Sequence, residues 1–479
     1  MKEILIHAGY THSTAVILNK GELEYVLTEQ TDAQGGVGNI YRGSVDNVVQ
    51  GMQAAFVDIS LDKNAFLFAG DICDGQDIKK LVKKGDELIV QIIKEAQGVK
   101  GARVTTEITI PGHNLVLMPK SDYVGVSKKI TQEDERKRLK ETVEELKNKN
   151  YGYIVRTEAQ NATKEQLQNE IAYLEDEWEK IVKKTGKGIL YREDGLLLTV
   201  LRDYLDSSID KIVINDLKTF EDAKKIASVL APFAQEKIVL KEGNLFLEAG
   251  VESKLAKLMQ RKVWLDNGAY LVIDCTEALT VIDVNTGKFT GDYDLNKTIV
   301  KTNILAAKEI ARQLRLRAIG GIIVVDFIDM ESDEDRQAVL NALEEASRGD
   351  KIKTNIIGFA PLGLVELTRK KTRLSLMQSL QQTCPYCEGD GRILSENTII
   401  NNILQELDRV WRASGGDKAV LRVNPHILKR LKEKEGLLKE KFDGISIFVR
   451  EDAQMHIEDY NVAFVLDNFS NLEGLVKLL

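Results

Sequence analysis

Two strand-like apolar segments in the middle of the chain each carry an aspartate near their end. Residues 278–287 contain Asp283 and Asn285, and residues 320–330 contain Asp326. A carboxylate in such a strand is costly to bury unless it is paired or binds a cation. One aspartate alone is as often a cap or turn former. Two at matching strand ends, with Asn285 beside one of them, favour a hard-cation site, and Mg²⁺ is the best match.

The segment between these strands has to bring the two aspartates together. Residues 303–318 carry apolar side chains at helical spacing, so the order strand, helix, strand predicts a parallel pair. The carboxyl ends of neighbouring parallel strands lie at one edge of the sheet, where ligands usually bind. None of the 5 histidines lies in this stretch. The pattern therefore favours hydrolysis by metal-activated water over histidine acid–base chemistry.

Composition restricts the class of protein. The chain has 479 residues, of which 43% are hydrophobic and 29% charged, and this length allows about three domains. The N-terminus reads as an opening strand and no apolar run is long enough for a membrane span, so we expect a cytoplasmic protein. The net charge is −8, so nucleic-acid binding would require local basic patches. The absence of a P-loop motif disfavours a P-loop ATPase.

The first part of the chain reads as short strands. Residues 1–35 alternate apolar and polar side chains but are too few to bury a core, so we expect them to pair with a later segment. Residues 36–106 combine short strands with Gly-rich turns, which is typical of a small barrel, and its last strand is predicted over residues 88–93. The α/β patterning returns over residues 196–260, and residues 395–479 form a small α/β tail.

Aromatic and basic residues of the predicted barrel suit a single-stranded nucleic acid. Phe56 and Phe66 could stack on bases, and Lys94 and Lys100 are close to them in sequence. The alternative is that both phenylalanines belong to the barrel core, and the residues alone favour the core for either one.

Residues 107–195 contain two charged amphipathic helices, predicted near 131–149 and 163–184. Between them, Arg156 and Thr157 follow a strand, where a guanidinium fork and a hydroxyl could bind a terminal phosphate. Most such arginines are surface residues, so this signal is weak. Farther on, residues 369–373 include four cations, and a solvated surface or a phosphate-facing role are about equally supported.

The sequence Cys384-Pro-Tyr-Cys387 has two interpretations. A redox motif needs its first cysteine at a helix N-terminus, and the glycines that follow oppose a helix. Half of a structural Zn site fits better, and its simplest completion is the same pair from a second chain, because a structural Zn takes four ligands. We therefore predict a Zn-bridged dimer. Cys73 and Cys275 are isolated and are expected to be ordinary buried thiols.

Taken together, these residues resemble the ribonuclease E/G family. The matching segments are residues 40–41 through 54–58, 100–101, 155–157, 282–285 and 325–330, and Cys384 with Cys387. They follow the family's order over nearly the whole chain, and the last three are specific in combination.

The resemblance implies a multidomain α/β fold. An RNase H-like subdomain, residues 1–35 and 196–260, would be interrupted by an OB-fold RNA-binding barrel, residues 36–106, and a 5′-sensor region, residues 107–195. A deoxyribonuclease-I-like catalytic subdomain would follow over 261–380, then a Zn-link over 381–394 and a small dimerisation domain over 395–479.

The resemblance also implies a function. The expected activity is Mg²⁺-dependent cleavage of single-stranded, AU-rich RNA to 5′-phosphate and 3′-hydroxyl ends, in RNA processing and mRNA decay. The alternatives are a non-catalytic RNA-binding or ribosome-assembly factor and a redox protein.

The family's roles carry over residue by residue. Asp283 and Asp326 would hold Mg²⁺ with Asn285 orienting the site. Phe56, Phe66 and Lys100 would bind RNA, and Arg156, Thr157 and Lys353 would sense a 5′-monophosphate. Lys94 is assigned to the same RNA surface from its place in the sequence alone. Lys353 stands where the family has an arginine, so it keeps the charge but lacks the planar fork. Cys384 and Cys387 would share Zn²⁺ between subunits, giving a homodimer and possibly a homotetramer.

Overall fold

The structure is a computed structural model that describes residues 1–30, 35–72, 76–96, 100–193, 195–287, 295–464 and 475–478. These residues divide into two units, Met1–Leu380 and Gln381–Leu479.

Short strands dominate the first 195 residues. The N-terminal segment forms β1 (Lys2–Ala8), β2 (His12–Asn19) and β3 (Glu22–Gln30). The next segment forms β4 (Ile40–Val49), β5 (Ala54–Asp58), β6 (Ala65–Phe68), α1 (Ile78–Leu81), β7 (Glu87–Lys94) and β8 (Arg103–Thr105). Then follow β9 (Ile110–Pro111), β10 (Leu115–Met118), β11 (Val124–Val126), α2 (Glu133–Leu146), β12 (Gly152–Val155), α3 (Lys164–Lys183) and β13 (Gly188–Tyr191).

Helices alternate with strands in the rest of the first unit. Its next elements are α4 (Leu196–Asp203), β14 (Lys211–Ile214), α5 (Leu217–Leu230), β15 (Ile238–Leu240), α6 (Leu245–Glu248) and α7 (Glu252–Lys257). The unit then continues with β16 (Lys262–Trp264), β17 (Tyr270–Cys275), β18 (Leu279–Asn285), α8 (Leu295–Leu316), β19 (Gly321–Asp326), α9 (Asp333–Arg348), β20 (Thr354–Phe359), β21 (Val365–Arg369) and α10 (Leu376–Leu380).

The N-terminal strands are completed by a segment far along the chain. Their sheet has the order β15-β14-β1-β2-β3. β1 runs parallel to β14, with Ile4 opposite Ile212, and antiparallel to β2. Apolar side chains of both segments, α4 and α5 form a common core. The prediction that residues 1–35 pair with residues 196–260 is confirmed.

The second sheet closes into a five-stranded barrel. Its strands follow the order β4-β5-β6-β8-β7, and pairing between β4 and β7 closes it. β6 and β8 are parallel, and the other neighbours are antiparallel. The small barrel is confirmed, but the predicted last strand, now β7, is followed by β8. β13 also pairs with β4, so the chain returns to the barrel after α3.

A third sheet, β11-β12-β10-β9, packs against α2 and α3. Both helices were predicted, and their observed bounds differ from the predicted ones by one to three residues at each end. α3 begins with a capping box, in which the side chains of Thr163 and Gln166 each bind the other's backbone N–H.

The two aspartates lie in a six-stranded sheet of order β16-β17-β18-β19-β21-β20. β18 and β19 are parallel, as predicted, and α8 connects them. Apolar residues of α8 and α9 form one core with the inward side chains of the sheet, such as Ile282 and Val325. Alternate side chains point the other way, and Val281 and Ile322 are exposed there. We call this second side of the sheet the open face.

The second unit is a small α/β structure. It comprises α11 (Glu396–Ser414), β22 (Lys418–Val423), α12 (Pro425–Glu433), α13 (Glu435–Lys441), β23 (Ser446–Glu451), β24 (Tyr460–Phe464) and β25 (Leu475–Lys477). The sheet order is β24-β22-β23-β25, and the helices contribute to its core. Across both units, none of the described helices is long and apolar enough to cross a membrane.

Candidate active site

Asp283 and Asp326 lie directly opposite each other on the parallel strands β18 and β19. Paired positions on adjacent strands carry their side chains on the same side, and the strands are roughly 5 Å apart. Both residues are exposed, whereas their neighbours Ile282 and Val325 are fully buried on the helix-covered side. Both carboxylates therefore belong to the open face, next to each other.

Asn285 completes the cluster. Its amide Nδ2 donates to Asp283 Oδ2 over 2.7 Å, which fixes that carboxylate and leaves the amide oxygen as the atom of Asn285 that could bind a cation or water. Two residues later Gly287 adopts φ +62, and a Cβ built there would lie 2.4 Å from the carbonyl oxygen of Gly268. Only glycine permits this approach of the two loops.

The electrostatics of the cluster suit a divalent cation. Burial raises the pKa of Asp326, and the negative charges of Asp283 and Asp329 raise it further. Carboxylates held close together without a cation repel each other, so the arrangement favours binding positive charge. The described residues contain no group of three or more histidine, cysteine or acidic side chains placed to hold a metal. Two carboxylates with water and substrate phosphate are what Mg²⁺ commonly uses, so the donor set fits Mg²⁺.

Two polar side chains of α8 hold the loops beside this cluster. Fully buried Asn303 donates to the carbonyl of Ile328 over 2.8 Å and accepts from its N–H over 3.1 Å, which anchors the loop after Asp326. One position earlier, Thr302 Oγ1 accepts from Asn267 Nδ2 over 3.1 Å, which anchors the turn containing Gly268. Our sequence analysis missed both contacts. Asn303, a polar residue within the predicted helix, was a signal for the first of them, whereas Thr302 lies before the predicted helix.

The barrel carries an aromatic pair on its outer surface. Phe56 on β5 lies opposite Phe66 on β6, with ring centroids 5.9 Å apart and an interplanar angle of 72°. Both are half-buried and alternate with buried residues such as Val57 and Leu67. The preference for a core position was therefore wrong for both phenylalanines. Phe68, which the sequence analysis missed, is 38% exposed on the same strand as Phe66.

Basic side chains flank this aromatic pair. Arg103 lies opposite Phe66 on one side and Lys94 on the other, and its guanidinium is 5.9 Å from the centroid of the Phe68 ring. Lys94 and Lys100 are exposed. Phenylalanine rings beside cations form the kind of surface that binds single-stranded nucleic acid.

Arg156 is held in an ion-pair network. Its Nη2 lies 2.8 Å from Asp203 Oδ1, and its Nη1 donates to the Gly112 carbonyl over 2.5 Å. Thr157 Oγ1 lies 3.1 Å from Ser127 Oγ. Asp203 and Gly112 thus hold the guanidinium, and Ser127 contacts the hydroxyl of the next residue in the chain.

Lys353, the third predicted sensor residue, is exposed just before β20. Among the described side-chain contacts none joins it to Arg156 or Thr157.

The ion-pair network of Arg156 continues from Asp203 through Arg202 to Glu193, a carboxyl group with an unusual pKa. Burial raises the pKa of Glu193 to about 7, although Arg202 Nη1 lies only 3.3 Å from its Oε1. A carboxyl whose pKa is raised by folding makes its full contribution to the free energy of unfolding at pH values below its unfolded pKa, near 4.5. This contribution is lost as the pH rises through about 7.

We therefore expect the melting temperature of the native chain, relative to that of Glu193→Gln, to fall between pH 5 and pH 8. The corresponding loss in the free energy of unfolding is at most roughly 3 kcal/mol. Thermal unfolding of both proteins at several pH values measures it. A difference that is constant with pH, or that grows toward high pH, would contradict the assignment.

The basic run at residues 369–373 was interpreted as either a solvated surface or a phosphate-facing segment, and neither interpretation holds for all four cations. Arg369 is buried, with Nη2 2.9 Å from Asp350 Oδ2, and Arg373 donates to the Val26 carbonyl over 3.0 Å. Lys370 and Lys371 are exposed. The arginines therefore support the fold, and only the lysines are open to solvent.

Cys384 and Cys387 lie in a turn of the second unit rather than at a helix start. Backbone N–H groups of Cys387 and Tyr386 lower the pKa of the Cys384 thiol, and the Gly391 N–H donates to Cys387 Sγ over 3.3 Å. The N–H groups pointing at the Cys384 sulfur favour its thiolate, which is the form that binds Zn²⁺. The donor set thus fits half of a tetrahedral site.

The surroundings of this turn add one residue that the sequence analysis did not place nearby. His456 Nε2 lies 2.7 Å from the carbonyl oxygen of Tyr386, and the two rings are 4.2 Å apart.

The other two cysteines were predicted to be buried thiols. Cys275 is exposed, so this prediction was wrong for it. Cys73 lies outside the described residues.

Comparison with known proteins finds relatives along almost the whole chain. The sequence model of the Ribonuclease E/G family matches residues 109–372. Ribonuclease G of Salmonella typhimurium (strain SL1344) is 40% identical over 95% of this chain and 97% of its own length. Ribonuclease G of Haemophilus influenzae is 39% identical over 96% of this chain and 99% of its own. Ribonuclease E of Escherichia coli (strain K12) is 32% identical over 96% of this chain, which spans 46% of that longer protein.

Proposed function

The chain belongs to the ribonuclease E/G family and is an endoribonuclease of RNA processing, and we propose that it cleaves single-stranded, AU-rich RNA in a Mg²⁺-dependent reaction. The products would carry 5′-phosphate and 3′-hydroxyl ends. The observation that carries the proposal is the pairing of Asp283 with Asp326 across parallel strands, with Asn285 bound to Asp283. A non-catalytic RNA-binding factor has no need of this cluster.

Each residue of the cluster has a distinct role in the proposed reaction. Asp283 and Asp326 would hold Mg²⁺ on the open face, and Asn285 would keep Asp283 in its orientation. When bound, the ion supplies positive charge to the scissile phosphate and polarises water. Asn303 would keep Asp326 in position through the loop at Ile328. Water adds to phosphorus and the bond to the 3′-oxygen breaks, so no side-chain nucleophile is needed.

The barrel would hold the RNA. Its closed five-stranded order, with β6 parallel to β8, supports an OB fold. Phe56 and Phe66 would stack on bases, and Lys94 and Lys100 would contact phosphates. These contacts are independent of sequence, so AU preference would arise from the lower cost of keeping such RNA single-stranded.

Arg156 and Thr157 would bind a 5′-monophosphate. Asp203 competes for the guanidinium at 2.8 Å, so phosphate has to displace or share that partner. Lys353 would add charge without a fork. Preference for monophosphorylated RNA is therefore proposed to be moderate.

The remaining proposals concern the subdomains and their assembly. We assign the sheet of β1 and β14 to an RNase H-like subdomain, the third sheet to the 5′-sensor, and the sheet of β18 and β19 to a deoxyribonuclease-I-like subdomain. Cys384 and Cys387 would bind Zn²⁺ together with the same pair of a second chain, giving a homodimer that could pair into a tetramer.

Incubation with a 5′-monophosphorylated, AU-rich single-stranded RNA tests the proposed reaction. We expect internal cuts with Mg²⁺, none with a chelator, and 5′-phosphates at the new ends. The same RNA with a 5′-hydroxyl measures how much the 5′ group matters. Cleavage that persists in chelator, or new ends carrying 3′-phosphate, would refute the mechanism.

A further inference from the structure

The open face carries an aromatic cluster beside the two aspartates. On β16 and β17, Trp264 lies opposite Tyr270, and Tyr270 lies opposite Asn285. Trp264 is 59% exposed. Side chains in one register row point to the same side of a sheet, so Trp264 shares the open face with Asn285. Two strand spacings, or roughly 10 Å, separate Trp264 from Asn285, a distance that a neighbouring nucleotide can span.

A lysine holds the two rings of this cluster. Lys262 Nζ lies 3.4 Å from the ring centroid of Tyr270 and 4.0 Å from that of Trp264, and the two rings are 5.2 Å apart. Cation–π contacts of this kind fix ring orientation at modest cost. Lys262 also lies in the register row that contains Asp283. Val272 lies between the two residues in that row, so Lys262 places a positive charge on the same face two strand spacings, or roughly 10 Å, from Asp283.

The aromatic cluster contacts the segment that follows Asn285. A Cβ at Gly287 would lie 3.3 Å from Cδ1 of Tyr270, so this ring packs directly on the loop that follows Asn285. The turn between β16 and β17 is itself anchored to α8 through Asn267. Trp264 is thus an exposed ring on a support that is held by these contacts.

We propose that Trp264 is the stacking platform for the base of a nucleotide adjacent to the scissile phosphate of single-stranded RNA. Tyr270 and Lys262 orient its ring, and Lys262 adds a favourable charge for the RNA backbone. This inference rests on the proposed ribonuclease function and adds a substrate subsite to it, separate from the barrel surface of Phe56 and Phe66. Stacking on a single ring is tolerant of base identity.

Fluorescence of Trp264 tests binding without requiring cleavage. The full chain would carry Trp178→Phe and Trp411→Phe, so that Trp264 is the single tryptophan, and Asp326→Asn, so that the RNA stays intact. We expect saturable quenching by an AU-rich single-stranded oligonucleotide. Unchanged Trp264 fluorescence under conditions where the RNA is bound would overturn the proposal.

Cleavage kinetics test the same subsite in the chain with its aspartates intact. We expect Trp264→Ala to lower kcat/KM about tenfold, mainly through KM, and Trp264→Phe to recover most of it. Tyr10→Ala, which removes a fully exposed aromatic on the turn between β1 and β2, is the matched control and should behave as the native chain. With the native chain, an RNA that lacks the base next to the cut should show the same roughly tenfold loss of kcat/KM. With Trp264→Ala, removing that base should cause no further loss.

The outcomes separate the two proposals. Suppose that the native chain cleaves RNA and Trp264→Ala has the same kcat/KM, or that the losses of kcat/KM from Trp264→Ala and from the abasic RNA multiply. The stacking platform is then wrong, and the ribonuclease proposal stands. If the native chain cuts no RNA but Trp264 is quenched, the proposed reaction is wrong and the binding subsite stands.

Discussion

Asp326→Asn is expected to abolish RNA cleavage, lowering the rate at least about a thousandfold, or about 4 kcal/mol of transition-state stabilisation. The change keeps the size of the side chain but removes a negative charge from the pair that Asp326 forms with Asp283. RNA affinity should stay within a few fold, because the barrel contacts are untouched. Mapped cleavage and a binding assay on the same RNA measure both effects.

The same substitution should not destabilise the fold. The pKa of Asp326 is raised by burial and by Asp283 and Asp329, so its charged form is disfavoured in the folded chain. Removing the charge relieves repulsion, and without Mg²⁺ the melting temperature should be unchanged or higher. Loss of activity could then not be attributed to unfolding.

Glu366→Gln is the matched control for this prediction. Glu366 is an exposed carboxylate on β21 and lies opposite Val324, so it shares the open face but is not paired with either aspartate. Its neutralisation should leave cleavage within a few fold. Substantial cleavage by folded Asp326→Asn protein, or equal losses in both variants, would refute the assignment of the cation site.

Replacing Cys384 or Cys387 by serine should remove Zn²⁺ and convert the dimer to a monomer. A tetrahedral site made from two chains holds about half a Zn²⁺ per chain, and losing one thiolate on each side leaves only two strong ligands. The N–H groups around the Cys384 sulfur suit a thiolate, and a serine hydroxyl remains neutral and binds Zn²⁺ weakly. Elemental analysis and mass determination in solution measure metal content and assembly together.

Cys275→Ser is the control for the Zn²⁺ prediction, because Cys275 is an exposed cysteine outside the pair. It should keep both metal and dimer. One Zn²⁺ per chain, a disulfide between Cys384 and Cys387, or a dimer that survives both substitutions would contradict a shared site.

The strand pair that carries the aspartates was predictable from the sequence because local signals agreed there. Apolar runs ending in Asp and Gly, separated by a helical period, permit few arrangements. The pairing of residues 1–35 with a later segment was also predictable, since so few residues cannot bury a core.

Other features depend on contacts that a pattern does not reveal. Phe56 and Phe66 face outward because the alternate residues of their strands, such as Ala55 and Leu67, face the barrel interior. Composition does not show which face of a short strand turns inward. Arg369 was not identifiable as buried, since its partner Asp350 is supplied by another element. The place of Trp264 beside Asn285 depends on the register of β16, β17 and β18, which is known only when the strand order is known.

The interruption of the first sheet also sets an order of events during synthesis. β1 cannot gain its parallel neighbour until β14, about two hundred residues later, has left the ribosome. At roughly 5–20 residues per second, the first strands wait on the order of 10–40 s for that partner. The strands of the barrel lie within a much shorter stretch and can close during this interval. The barrel can thus form before the first sheet is completed.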